Sequence, residues 1–275
     1  MLLKKGGSLS ANISLKEELG ELQKQVRGDA SNAKLRVHLF QLLCLLGDWQ
    51  RALAQLQVCA QLDAKALPMA QAYREAIRCE TFRNDVFAGK RSPQVFGAPP
   101  SWLGLMIEAL RLDGTQQNAS SAMELRSRAL EEAEATPCTI DGVACEWVAD
   151  GDSRLGPICE VIVNGQYYWL PFESCSAIKI DPPTDLRDLV WAPAELSLPN
   201  QGRVPAFIPS RYPETAKTEL ANGDALRRCK ATEWVENQPD LWSGLGQRMW
   251  TSDVAEHPIL DTREMVFAPK SAATT

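Results

Sequence analysis

Residues 28–63 constrain this chain more than any other stretch. Gly28-Asp29-Ala30-Ser31-Asn32 leads into an apolar run over 35–46. Gly47-Asp48-Trp49 breaks that run, and a second segment of helical spacing reaches Leu62-Asp63. Two helices joined by so short a break must lie antiparallel, and their remaining apolar faces must be covered by further helices. A unit of this kind holds peptides and helices and brings no catalytic chemistry of its own. The first expectation is therefore a holding role.

The details of the pair sharpen that expectation. Asn32 is placed to cap the first helix, whose apolar positions Leu35, Val37, Leu39, Phe40, Leu42, Leu43 and Leu45 surround most of its circumference. A helix apolar on nearly all sides is buried between neighbours. In the second helix Ala52 follows Trp49 by three positions; the small residue lets two helices approach and the aromatic fills the gap beside it. The pattern resembles a tetratricopeptide repeat. It is a divergent one, because Arg36 and Phe40 stand where an aromatic and a small residue are usual. A helix over 14–27 precedes the pair, with Ser14 and Glu17 spaced as a capping box. Helices over 67–87, 101–112 and 118–134 follow, the last two joined by Asp113-Gly114. Residues 14–136 thus read as a helical domain. If the first helices of successive pairs line a concave face, Lys34, Gln41, Gln71, Glu75 and Arg78 point into it.

The texture changes after Thr136-Pro137. Asn164-Gly165, set between Cys159-Glu160-Val161-Ile162-Val163 and Gln166-Tyr167-Tyr168-Trp169-Leu170, predicts a tight hairpin, since both turn positions require positive φ. Shorter strands are expected near 145–148, 177–180, 189–192, 203–208, 229–236 and 246–250. Residues 137–267 read as a β-rich domain, a small twisted or barrel-like sheet. The fold class is α+β, with flexible tails expected at 1–13 and 268–275.

Charge and composition exclude several functions. The net charge is −6, divided as +2 over 1–136 and −8 over 137–275. An acidic second half disfavours phosphate contact, so no nucleic-acid partner is expected. Eight cysteines with no C-x-x-C pair and only two histidines argue against a zinc site, and no cofactor is expected. No segment has the length of a secretion signal or a membrane span, so the reading is a reduced, cytoplasmic protein.

Nothing in the sequence carries a nucleophile or phosphate-loop motif. His38 reads as a packed or surface histidine and His257 as part of an exposed turn before Pro258. Acid–base work would fall to Glu160 or Glu173, for which an exposed edge or a structural ion pair is the better reading. An enzyme built on Glu173, Arg187 and Arg211 is the rival hypothesis. Arg154, Arg187, Arg203, Arg211, Arg248 and Arg263 are interleaved with Trp147, Trp169, Trp191, Trp234, Trp242 and Trp250. Core pairing ranks first among explanations, protein binding second and base stacking third. In the helical half, Lys34, Arg51, Arg74, Arg78 and Arg83 read mostly as a solvated face.

Several ordered segments resemble one family. They are the run Leu35-Arg36-Val37-His38-Leu39-Phe40 continuing to Gly47-Asp48-Trp49, then Tyr167-Tyr168-Trp169-Leu170-Pro171-Phe172-Glu173, Pro182-Pro183-Thr184-Asp185-Leu186-Arg187-Asp188-Leu189-Val190-Trp191, Pro209-Ser210-Arg211-Tyr212-Pro213, Thr232-Glu233-Trp234 and Gly246-Gln247-Arg248. Together they resemble the ImpE family, also called SciE or TagJ, across about residues 15–267. Ser210 departs from the family's more frequent residue. The resemblance implies a non-enzymatic accessory protein of bacterial type VI secretion. Its implied partners are the N-terminal helix of the small contractile-sheath subunit and, through sheath handling, the AAA+ ATPase that disassembles contracted sheath. Tyr167, Trp169, Arg187, Trp191 and Arg211 then join the five helical positions as candidate protein-binding residues.

Overall fold

A computed structural model describes residues 13–115 and 118–268; the tails expected at 1–13 and 268–275 fall almost wholly outside them. The chain divides into two compact units, residues 1–74 and 75–275.

In the first unit, α1 (Leu15–Gly28) begins at the expected capping box, with Ser14 and Glu17 bonding each other's backbone N–H. Each such cap satisfies donors that a helix start leaves open. α2 (Ala33–Leu45) is capped by Asn32, and α3 (Trp49–Leu62) by Asp48. Gly47 makes the break between them at φ +70°. Leu39, Phe40, Leu42, Leu43, Cys44 and Leu45 of α2 are all buried, as are Ala52, Leu56 and Cys59 of α3. This is the helical pair expected from residues 28–63. The Phe40 ring meets Tyr73 edge-on, with centroids 5.7 Å apart. Tyr73 lies on α4 (Leu67–Phe87), which contains the boundary between the units.

The second unit opens with the last turns of α4, the two-residue strand β1 (Gln94–Val95), and the packed helices α5 (Ser101–Gly114) and α6 (Ala119–Glu132). The rest is mainly β. The strands are β2 (Cys138–Ile140), β3 (Val143–Cys145), β4 (Val148–Asp150), β5 (Ile158–Val163), β6 (Gln166–Pro171), β7 (Ala177–Ile180), β8 (Trp191–Ser197), β9 (Arg203–Pro209), β10 (Thr232–Gln238), β11 (Leu241–Gly246), β12 (Met249–Ser252), β13 (Glu256–Pro258) and β14 (Glu264–Phe267), with the short helix α7 (Gly223–Arg227) before β10.

Nine of these strands form one sheet in the order β1-β6-β5-β9-β8-β7-β14-β2-β3. Only the β1–β6 pairing is parallel. The sheet is open, so the barrel-like alternative is corrected. Closure would require the terminal strands to pair, and here β1 and β3, two and three residues long, end the order. A three-stranded sheet, β13-β12-β4, and the β10–β11 ribbon complete the unit.

Asn164 and Gly165 take φ of +49° and +73° and join β5 to β6 in the predicted register, Val163 opposite Gln166. Asp141 and Gly142 repeat the device between β2 and β3. The core is built from Val161, Leu170, Phe172, Ile178, Leu196, Ile208, Trp250 and Met265, with Phe172 edge-on to Trp250. All eight cysteines are buried and unbridged. Cys138 and Cys145 face one another across β2–β3, and burial pushes the Cys138 thiol up to about 12.

Candidate functional site

Burial of all six β5 residues places a glutamate, Glu160, at 0% exposure in the middle of an otherwise apolar strand. An ionised carboxylate survives there only with partners on every side. Arg83, from the last turns of α4, supplies Nε to Oε1 at 2.7 Å and Nη2 to Oε2 at 2.8 Å. Arg248, just before β12, donates its Nη2 to Oε2, and the Tyr167 hydroxyl donates to Oε1. The Arg248 Nη1 also meets Asp150, and its Nε donates to the Pro209 carbonyl at 2.9 Å. Trp169 Nε1 donates to the Tyr167 oxygen at 2.9 Å, and Trp191 Nε1 to Glu80 Oε1 at 3.1 Å.

The electrostatics follow from this geometry. Burial alone would raise the Glu160 carboxyl, but Arg83 and then Arg248 outweigh it and hold the group at about 2. Asp150 behaves oppositely: burial prevails over its single guanidinium and lifts it to about 6. Burial, reinforced by the Glu160 charge, drives the Tyr167 phenol well above its usual range. A carboxylate saturated by two guanidiniums and a phenol is a clasp between α4 and the sheet, not a free base. Glu160 is therefore the structural ion pair of the two readings given to it.

The candidate residues separate accordingly. Tyr167, Trp169, Trp191 and Arg211 are buried at 3%, 0%, 0% and 4% exposure. Three of them enter the clasp by side chain; Arg211 enters through its carbonyl, which accepts from Arg83 Nη2 at 2.9 Å. The polar atoms of this set are spent inward, which leaves Trp169 and Trp191 no exposed surface, while Tyr167 also borders a groove. Arg83 likewise leaves the solvated face assigned to it. In the first unit Gln41 is buried, while Lys34 and Gln71 are exposed. Glu75 and Arg78 pair with each other on α4 at 2.8 Å, with Arg78 exposed. Glu173 is half-buried in the turn Phe172–Ser174. Arg187 pairs with Asp185, and the Arg211 guanidinium donates to the Arg227 carbonyl at 3.1 Å. His257 lies in β13, not an exposed turn, with Nε2 2.9 Å from Ser252 Oγ.

Beside the clasp lies an open groove of about 380 Å³, where Arg78, Phe82, Asp85 and Arg91 meet the hairpin turn at Gly165 and Tyr167. It unites two candidates from opposite halves of the sequence, Arg78 and Tyr167. The Arg91 guanidinium lies over the Phe82 ring, 5.5 Å from its centroid. Glu75 packs against the turn so closely that a Cβ on Gly165 would stand 3.1 Å from it. No local sequence signal marks Phe82, Asp85 and Arg91, because the groove forms only where α4 meets the hairpin. Among the described residues no three His, Cys, Asp or Glu side chains are grouped as metal ligands would be. No described helix is long and apolar enough to cross a membrane.

The described residues thus combine a buried network of paired charges with grooves open at the surface. Comparison with known proteins makes the class specific. Residues 142–266 match the family model described as ImpE protein. Over 260 residues the chain is 45% identical to the type VI secretion system accessory component TagJ of Pseudomonas aeruginosa, covering 94% of this chain and 89% of that one. The chain belongs to the ImpE family. Its fold matches the crystal structure of a Vibrio parahaemolyticus protein with a TM-score of 0.83 and 24% identity, covering 94% of this chain and 95% of that chain.

Proposed function

We propose that this protein is a non-enzymatic, cytoplasmic adaptor of type VI secretion. It holds the N-terminal helix of the small contractile-sheath subunit, and through that subunit is linked to sheath handling by the AAA+ ATPase. The observation that carries the reading is the 45% identity, over nearly the whole chain, to an accessory component of that system. The groove beside α4 supports it with a surface suited to an amphipathic helix: an apolar ring, Phe82, flanked by charged groups of both signs. The clasp adds support of another kind, since its carboxylates are occupied.

The test is capture of the purified small sheath subunit on the immobilised full-length protein. Retention of the intact subunit, and its loss when the N-terminal helix is deleted, is expected. Equal retention of both forms would defeat the assignment of the helix, and retention of neither would defeat the adaptor reading.

A further inference from the structure

The β10–β11 ribbon carries a second recess, made of other residues and independent of the sheath reading. Trp234 and Trp242 line it together with Gly151, Ser153, Thr251 and Glu256, around a space of about 330 Å³. Trp234 pairs with Gly244 and Trp242 with Glu236 across the ribbon. Directly opposed residues share a face, so both indoles and the Glu236 carboxylate stand on one side.

The recess is built, not incidental. The Trp234 ring packs 5.5 Å from that of Tyr212, whose hydroxyl is held by the Met249 backbone at 3.0 Å on both the N–H and the carbonyl. Trp234 also lies over Gly151, where a Cβ would come within 2.6 Å of the indole. Trp242 is 42% exposed, yet its backbone is fixed: its carbonyl accepts from Ser153 N–H at 2.9 Å, and its N–H donates to Ser153 Oγ at 3.2 Å. Gly244 N–H donates to Asp152 at 3.2 Å. The exposed Trp242 indole is thus carried on a fixed backbone beside the packed ring of Trp234. Among the described residues lining the recess there is one carboxylate, Glu256, and no cation.

We infer that this recess takes a cationic side chain, the guanidinium or ammonium of an arginine or lysine on a partner segment. The face of an indole is negative and attracts cations more strongly than any other side-chain ring. Glu256 supplies the opposite charge, and the Ser153 and Thr251 hydroxyls can accept from the donors of the bound group.

The test uses the full chain and its indole N–H resonances, with those of Trp234 and Trp242 assigned from W234F and W242F. The probe is the blocked peptide acetyl-Gly-Arg-Gly-amide, its lysine counterpart, and the citrulline peptide, which keeps the shape and loses the charge. The arginine and lysine peptides are expected to shift both resonances saturably, with citrulline at least about tenfold weaker. W242A, at an exposed position, should abolish the response with thermal unfolding unchanged, and E256Q should weaken binding about three- to fivefold. No saturable shift, an equal response to citrulline, a response to a neutral disaccharide in place of the cationic peptides, or undiminished binding in W242A would each overturn the assignment.

Discussion

Arg83 and Glu160, 77 positions apart in the chain, form a two-pronged pair with both side chains at 3% exposure or less. The guanidinium comes from a helix and the carboxylate from the middle of a sheet. Long-range pairing of this kind fixes where α4 lies against β5, and the groove at Gly165 depends on that placement.

Glu160→Gln removes one charge and leaves two buried guanidiniums facing an amide. A loss of about 3–5 kcal/mol is expected, the range for breaking a buried pair, read as a lower midpoint in urea unfolding. Arg83→Lys should also destabilise, because an ammonium cannot reproduce the two parallel bonds. A change below about 1 kcal/mol in both variants would remove the clasp from the account of stability.

The clasp also predicts a pH profile with two opposed limbs. Glu160 has its folded value depressed to about 2 from about 4.5, so its contribution is complete above about 4.5 and is lost as pH falls toward 2. Asp150 is raised to about 6 from 3.8. The folded state then binds its proton more tightly, and this term weakens stability as pH rises from about 4 to 6. Stability measured against pH should keep the acid limb and lose the second one in Asp150→Asn. Glu160→Gln should flatten the acid limb instead.

Two glycines of positive φ separate conformation from crowding. Gly142→Ala meets nothing within 4 Å at φ +84°, whereas Gly165→Ala at φ +73° adds a contact of 3.1 Å with Glu75. The first should cost about 1 kcal/mol for backbone strain. The second should cost more, and Glu75→Ala should return part of the difference. Thermal unfolding of the two single variants and the double variant decides the matter.

In the first unit, Ala52 is fully buried on α3. Ala52→Met should destabilise by about 1–3 kcal/mol through overpacking, detected as early loss of helical circular dichroism. Phe82→Ser acts differently: the ring is only half-buried at the groove, so stability should change little while capture of the sheath subunit falls at least about tenfold. Unaltered capture would move the helix-binding surface elsewhere.

How much of this was legible in the chain depended on range. Signals contained in a few residues were readable: the Ser14–Glu17 box, the Gly47-Asp48-Trp49 break and the Asn164-Gly165 turn all stand where the residue types require. Asp141-Gly142 has the same turn chemistry, but the β2 and β3 runs beside it are only three residues each, too short to announce a hairpin. The expected strand over 246–250 straddles a real break, since Gly246 at φ +93° ends β11 before β12 begins. The interleaved tryptophans and arginines had suggested core pairing first. Trp169, Trp191, Trp250 and Arg248 obey it at 0% exposure, while Trp147 and Trp242 stay more than one-third exposed. The clasp itself was out of reach. Its partners lie 77, 88 and 98 positions apart, and no periodicity relates them. The one local hint was a lone glutamate inside the apolar run of β5.

The burial of every cysteine has a practical corollary. Cys138 and Cys159 have their thiols pushed far above neutrality by burial, so neither offers a thiolate to an alkylating reagent while the fold is intact. Sulfur modification then becomes a stopwatch. With Cys44 and Cys59 in the first unit and Cys79, Cys138, Cys145, Cys159, Cys175 and Cys229 in the sheet-bearing one, the sequence in which the masses rise under mild denaturant would chart which part of the molecule breathes first.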